Sequence, residues 1–181
     1  MNGEQDVAYT LVSEEEIKSI VADVAARISK DYEGKNLFII PVLKGSFVFA
    51  ADLVRALSIP CSVDFLAVSS YGAGTKTSGN VRIMKDISCT LEDKDVLIVE
   101  DILDSGVTLS FLCEMFKTRK PKSLKVCTLF DKPERRRVDF TPDYVGRSVP
   151  DEFIVGYGLD YNEQYRNLPY IGVLKPEIYT D

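Results

Sequence analysis

Glu100, Asp101 and Asp104 stand directly behind the aliphatic run Val96-Leu97-Ile98-Val99, and Ser105-Gly106-Val107-Thr108 follows at once. The second half of this stretch has the chemistry of an anion cradle. Where a buried strand hands over to a helix, backbone N–H groups and the helix dipole favour a phosphate. Gly106 lets the backbone approach closely, and Ser105 and Thr108 add hydroxyl donors. The carboxylates conflict with such a guest, because each close pair of like charges costs on the order of 1 kcal/mol even at high effective dielectric. A divalent cation removes the conflict. Mg²⁺ takes few carboxylates and otherwise substrate oxygens and water, so Glu100 and Asp101, read as a strand's end, are candidates to hold it through ribose hydroxyls or water. Asp104 is a candidate base, or the N-cap of a helix starting at Ser105. A solvated strand terminus at Glu100-Asp101 is the structural alternative. Taken together behind so apolar a strand, the three carboxylates favour function.

Other chemistries are excluded or weakly supported. No Gly-Lys-Ser/Thr follows, so this is not a Walker A loop, and a single glycine does not make a dinucleotide fingerprint. Gly72-Ala73-Gly74 and Gly156-Tyr157-Gly158 lack a strand-to-helix setting and carry little weight. The chain has no histidine, so proton transfer falls to carboxylates, Lys, Tyr or Cys. Its four cysteines, Cys61, Cys89, Cys113 and Cys127, form no Cys-x-x-Cys pair, which argues against zinc. They read as buried, reduced thiols, Cys61 and Cys127 within apolar runs.

The elements that must position these residues follow from periodicity. Ser13-Glu14-Glu15-Glu16 predicts a capping box, and Ile17, Ile20, Val21, Val24, Ala25 and Ile28 an amphipathic helix behind it that ends at Gly34. Residues 37–43 predict a buried strand with Pro41 near its end. The segment starting at Lys44 predicts a helix, and residues 61–70 a second strand. The glycine-rich stretch 71–80 has nothing to bury and reads as a mobile loop. Residues 95–101 predict a strand buried on both faces, followed by a helix, a strand over 123–131, the basic run 132–137 and short strand-like pieces. Alternating strands and helices predict an α/β domain with a mostly parallel sheet.

At 181 residues the chain has one domain's length, and its net charge of −6 argues against a partner held by broad attraction to nucleic acid. No stretch is long and apolar enough to span a membrane, and the N-terminus lacks a signal pattern, so the expected location is cytoplasmic.

Four aliphatics, Glu-Asp, two aliphatics and Asp-Ser-Gly-x-Thr resemble the motif with which type I phosphoribosyltransferases bind phosphoribosyl diphosphate (PRPP). Residues 42–55, Ser70-Tyr71 and residues 150–174 are similar to the hypoxanthine-guanine branch of that family, in its order, over roughly 10–175. The resemblance implies a mostly parallel twisted sheet flanked by helices in a single domain over 1–181. Its core would be about 35–150, with a small hood built from 1–34 and 150–181. It implies Mg²⁺-dependent transfer of a phosphoribosyl group from PRPP to N9 of hypoxanthine or guanine, by a homodimer or homotetramer.

The resemblance also implies residue roles. Glu100 and Asp101 would face ribose and Mg²⁺, Asp104 the proton at purine N7, and Ser105, Gly106, Val107 and Thr108 the 5′-phosphate. Leu43, Lys44 and Gly45, with a cis peptide before the lysine, would bind pyrophosphate together with Arg166. Ser70 and Tyr71 would head a closing loop. Lys132 would meet the purine O6, Phe153 would stack on the base, and the backbone of Ile154 would read its edge. Asp160 would meet a second Mg²⁺ through water and the purine 2-position by its backbone. Arg135, Arg136 and Arg137 keep the reading of a solvated charge run. A PRPP-sensing regulator that binds nucleic acid is the rival, disfavoured by the acidic charge. A phosphoribosyltransferase for another base is a second rival; Lys132 and Phe153-Ile154 disfavour pyrimidines but leave xanthine open.

Overall fold

The computed structural model describes residues 3–70 and 81–180; the stretch 71–80, with Tyr71, lies outside them. In chain order come β1 (Val7–Val12), α1 (Glu14–Asp31), β2 (Leu37–Leu43), α2 (Phe47–Ala56), β3 (Cys61–Val63), β4 (Leu66–Ser70) and β5 (Val81–Lys85). They are followed by β6 (Asp95–Leu103), α3 (Val107–Lys117), β7 (Ser123–Asp131), β8 (Tyr144–Ser148), β9 (Ile154–Val155), β10 (Ile171–Leu174) and the short α4 (Pro176–Tyr179).

The main sheet runs β5-β4-β2-β6-β7-β8, with β3 also paired to β2. Its pairs are parallel except β4 with β5. Residues of β6 alternate between two apolar layers, as the pleat requires. Leu97 and Val99 join Ile17, Val24 and Ile28 of α1 and Phe49 and Leu53 of α2. Val96 and Ile98 join Leu109, Leu112 and Phe116 of α3. The predicted α/β architecture is therefore the observed one. β1, β10 and β9 make a separate antiparallel sheet from the two ends of the chain. Val12, Ile154, Ile171 and Val173 from that sheet share the α1 layer, so it is seated on the core.

The capping box forms in full: Glu16 N–H donates to Ser13 Oγ at 3.2 Å, and Ser13 N–H to the Glu16 carboxylate at 2.8 Å. Three expectations change. The predicted strand 61–70 breaks at Asp64-Phe65, where the Asp64 carboxylate accepts from Ser88 N–H, Phe65 N–H and Lys85 Nζ. These bonds reward the corner more than a continuous ladder would. Pro41 stands two residues before the end of β2, as expected; it falls where β2's neighbour changes from β3 to β4, a gap that tolerates a missing N–H. β6 extends to Leu103, so Glu100 and Asp101 belong to the strand rather than its terminus. Cys113 and Cys127 are buried, but Cys89 is exposed and Cys61 only partly covered; all four are free thiols. Among the described residues no helix is long and apolar enough to cross a membrane.

Candidate active site

The carboxyl ends of the parallel strands β2, β6 and β7 point to one side, and the predicted site residues gather there. β6 passes into α3 through Asp104-Ser105-Gly106. Gly106 takes a left-handed conformation (φ 81°) as the N-cap of α3, and no side chain caps the helix. Val107 N–H makes a long 3.4 Å bond to Ser105 Oγ, and the N–H groups that follow in the first turn are left for an outside acceptor. A cavity of about 90 Å³ opens there, lined by Glu100, Ile102, Asp104, Ser105, Gly106 and Thr108 among others. The N-cap reading of Asp104 is overturned: the helix starts at Val107, and the Asp104 carboxylate pairs with Arg135 Nε at 3.0 Å.

The expectation of a solvated run at Arg135, Arg136 and Arg137 fails for Arg136, whereas Arg135 and Arg137 are exposed. Arg136 donates to the carbonyls of Asp104 (2.5 Å) and Leu103 (3.4 Å) and pairs with the Asp131 carboxylate. Arg135 bridges Asp104 to Asp151, 3.4 Å away. The Arg137 backbone N–H donates to Ser105 O at 2.9 Å. The basic run therefore wraps the Asp104–Gly106 turn and holds its shape. Sequence patterning misses this because a charge run on a surface and one folded over a loop look alike.

Asp101 is buried, and Glu100 is partly covered. Burial pushes the Asp101 carboxyl up to about 6. Glu100 is raised well above its ordinary range, by burial first and the charge of Asp101 second. Gly45 lies against Asp101: a Cβ there would fall 1.7 Å from Asp101 Oδ2. The Leu43–Lys44 peptide is cis, as the resemblance implies. Gly158, in the glycine pair given little weight from sequence, backs this loop, since a Cβ on it would meet Gly45 O at 2.2 Å.

Lys44 Nζ lies 3.1 Å from both carboxylate oxygens of Glu163, a residue absent from the expected site. Arg166 pairs with Asp160 at 2.9 Å and Glu163 at 3.4 Å, and donates to Gly158 O at 2.7 Å. Asp160 therefore faces Arg166 first. Among the described residues no three carboxylate, Cys or His side chains converge into a preformed metal cage.

Lys132 is buried, and its Nζ donates to Glu152 O, two residues ahead of β9, at 2.6 Å. Burial lowers its pKa. That bond sets the start of the segment carrying Phe153 and Ile154. Ile154 is buried in β9, whereas Phe153 lies in an aromatic group with Tyr161 and Tyr179. Ser70 closes β4 at the same sheet end, and Tyr71 lies outside the described residues.

The phosphoribosyl transferase domain family matches residues 10–162. The chain is 50% identical over 176 residues to a hypoxanthine-guanine phosphoribosyltransferase of Staphylococcus aureus, covering 97% of this chain and 98% of that protein. A crystal structure of a hypoxanthine phosphoribosyltransferase from Staphylococcus aureus matches with a TM-score of 0.95 at 49% identity, covering 98% of this chain and 97% of that one. A hypoxanthine-guanine phosphoribosyltransferase from Bacillus anthracis, solved with HEPES in its active site, matches with a TM-score of 0.89 at 53% identity. That match covers 93% of this chain and 99% of the other.

Proposed function

The chain belongs to the phosphoribosyl transferase family, in its hypoxanthine-guanine branch, and from that premise we propose how its residues divide the reaction. It is a purine-salvage transferase that moves the 5-phosphoribosyl group of PRPP to N9 of hypoxanthine or guanine and releases pyrophosphate. One observation carries the site assignment. The first turn of α3, whose N-cap Gly106 offers no side chain, lies at one sheet end beside buried Asp101 and partly covered Glu100.

Ser105, Gly106, Val107 and Thr108 bind the 5′-phosphate through backbone and hydroxyl donors. Glu100 and Asp101 face the ribose and would hold Mg²⁺, and Asp160 would help to hold a second ion. The donor set fits: hard oxygen ligands, buried and destabilised as anions, suit a hard divalent cation that keeps substrate oxygens in its shell. The bound ion supplies charge neutralisation to the diphosphate. Leu43, Lys44, Gly45 and Arg166 receive the pyrophosphate, with Lys44 and Arg166 exchanging Glu163 for the incoming anion.

Lys132 has three N–H donors and spends one on Glu152 O, which leaves others for the purine O6. Adenine presents a donor there and would leave a buried cation unmatched. Phe153 stacks on the base, the Ile154 backbone reads its edge, and Asp104 takes or holds the N7 proton. Ser70 and Tyr71 head the loop that shields the reacting centre from water. Catalysis on this reading is positioning and charge stabilisation. The enzyme acts in the cytoplasm as a homodimer or homotetramer, which sedimentation of the purified chain tests for assembly.

The functional test supplies PRPP and Mg²⁺ with hypoxanthine, guanine, xanthine, adenine or uracil in turn and measures pyrophosphate release. Release is expected with hypoxanthine and guanine and absent with adenine and uracil. Turnover of adenine at a comparable rate would overturn the role of Lys132.

A further inference from the structure

Phe153 is already half of an aromatic stack. The Tyr179 ring lies on one of its faces, with centroids 4.6 Å apart and planes 21° from parallel. Tyr161 meets it from the side at 5.4 Å and 90°. Tyr179 belongs to α4, whose approach is tied down at several points. Leu174 N–H donates to Phe153 O at 2.8 Å, Lys175 N–H to Asp6 O at 2.9 Å, and Lys175 Nζ to Gln5 O at 2.7 Å. The neighbouring Ile178 and Tyr179 pack into the apolar group of Val155, Leu168 and Leu174. The short α4 is thus pinned to the segment that carries Phe153, just ahead of β9.

An unbraced aromatic ring rotates about its side-chain torsions, and a base stacking on it must first bear the cost of stopping that motion. A ring held on one face and one side presents its other face at a fixed tilt. We propose that Tyr179 is a positioning residue for the purine: it braces Phe153 from behind, so that base, Phe153 and Tyr179 form one column. This rests on the reading that Phe153 stacks on the base, and it adds a specific duty for a residue that touches no substrate. The brace works through the ring face, so a phenyl group should serve as well as a phenol.

The test measures steady-state constants for Tyr179→Ala, Tyr179→Leu and Tyr179→Phe in the full chain. Tyr179→Ala and Tyr179→Leu should raise KM for hypoxanthine and guanine by about three- to tenfold, the range expected for one lost aromatic pair. Their KM for PRPP should stay within about twofold, and Tyr179→Phe should match the parent for both substrates. Four results would overturn the proposal. A fall in base KM would mean that Tyr179 occupies the purine's own face. Full activity in Tyr179→Leu would reduce its duty to apolar filling, an equal rise for PRPP would reduce it to general support of the small sheet, and unchanged constants would leave it none. Phe153→Leu separates the two levels. If that variant leaves base KM unchanged, the stacking role of Phe153 fails; if it raises base KM while Tyr179→Ala does not, only the brace fails.

Discussion

Asp104 stands two residues before the N-cap of α3, and its carboxylate faces Arg135 rather than the first turn of that helix. Its replacement should therefore cost chemistry and not fold. Asp104→Asn is expected to lower turnover by about a hundredfold, the contribution of a lost proton-transfer group, with its thermal unfolding midpoint unchanged. A variant that turns over normally but melts early would return Asp104 to a structural role. Asp101 differs because it is buried. Its carboxyl sits at about 6 in the folded chain against an ordinary 3.8, so between those values the folded state binds more protons than the unfolded one. Stability must then fall as pH rises through that window, by about 3 kcal/mol if the shift is taken whole. Urea unfolding across pH 4 to 6.5 should show this fall in the parent and a smaller one in Asp101→Asn. Parallel curves would mean that burial does not penalise the charge.

At the scale of elements, the decisive contacts join segments distant in sequence. The loop after β2 leans on the Gly156-Tyr157-Gly158 segment, and Gly158 has both a left-handed backbone (φ +100°) and Gly45 O where a Cβ would go. Gly158→Ala should thus push the Leu43–Gly45 loop out of place, raising KM for PRPP by about tenfold and lowering stability by about 1–3 kcal/mol. Gly34 is the control. It has a similar φ of +71°, but a Cβ on it would meet nothing within 4 Å, so Gly34→Ala should cost about 1 kcal/mol and leave KM alone. Equal kinetic effects in the two variants would refute the packing argument. These contacts also mark the limit of what periodicity reveals. The capping box, the α1 stripe and the aliphatic run of β6 were legible because each is a local pattern of residue types. The break at Asp64, the run of β6 to Leu103 and the grip of Arg136 on the Asp104–Gly106 turn were not, because each depends on a partner brought in by the fold.

The whole molecule joins a parallel sheet, which collects its strand ends, to a small sheet made from both ends of the chain. Ligand is expected to stabilise this arrangement through mass action. With Mg²⁺ and PRPP at about a hundred times their dissociation constant, the gain is about 2.7 kcal/mol, visible as a rise in the thermal midpoint. Chelation of the metal should abolish both that rise and the turnover, and added Mg²⁺ should restore them. An undiminished PRPP effect in chelator would remove Glu100 and Asp101 from any metal role.

Sequence alone determined the α/β class, the glycine turn from β6 into α3 and, through resemblance, the family, since all three are written in residue types that carry the physics. It could not determine that Asp104 pairs with Arg135, that Glu163 spans Lys44 and Arg166, or that Tyr179 stacks on Phe153. Tertiary structure decided those, because charge pairing and ring stacking act over a few ångströms in space and are blind to separation along the chain.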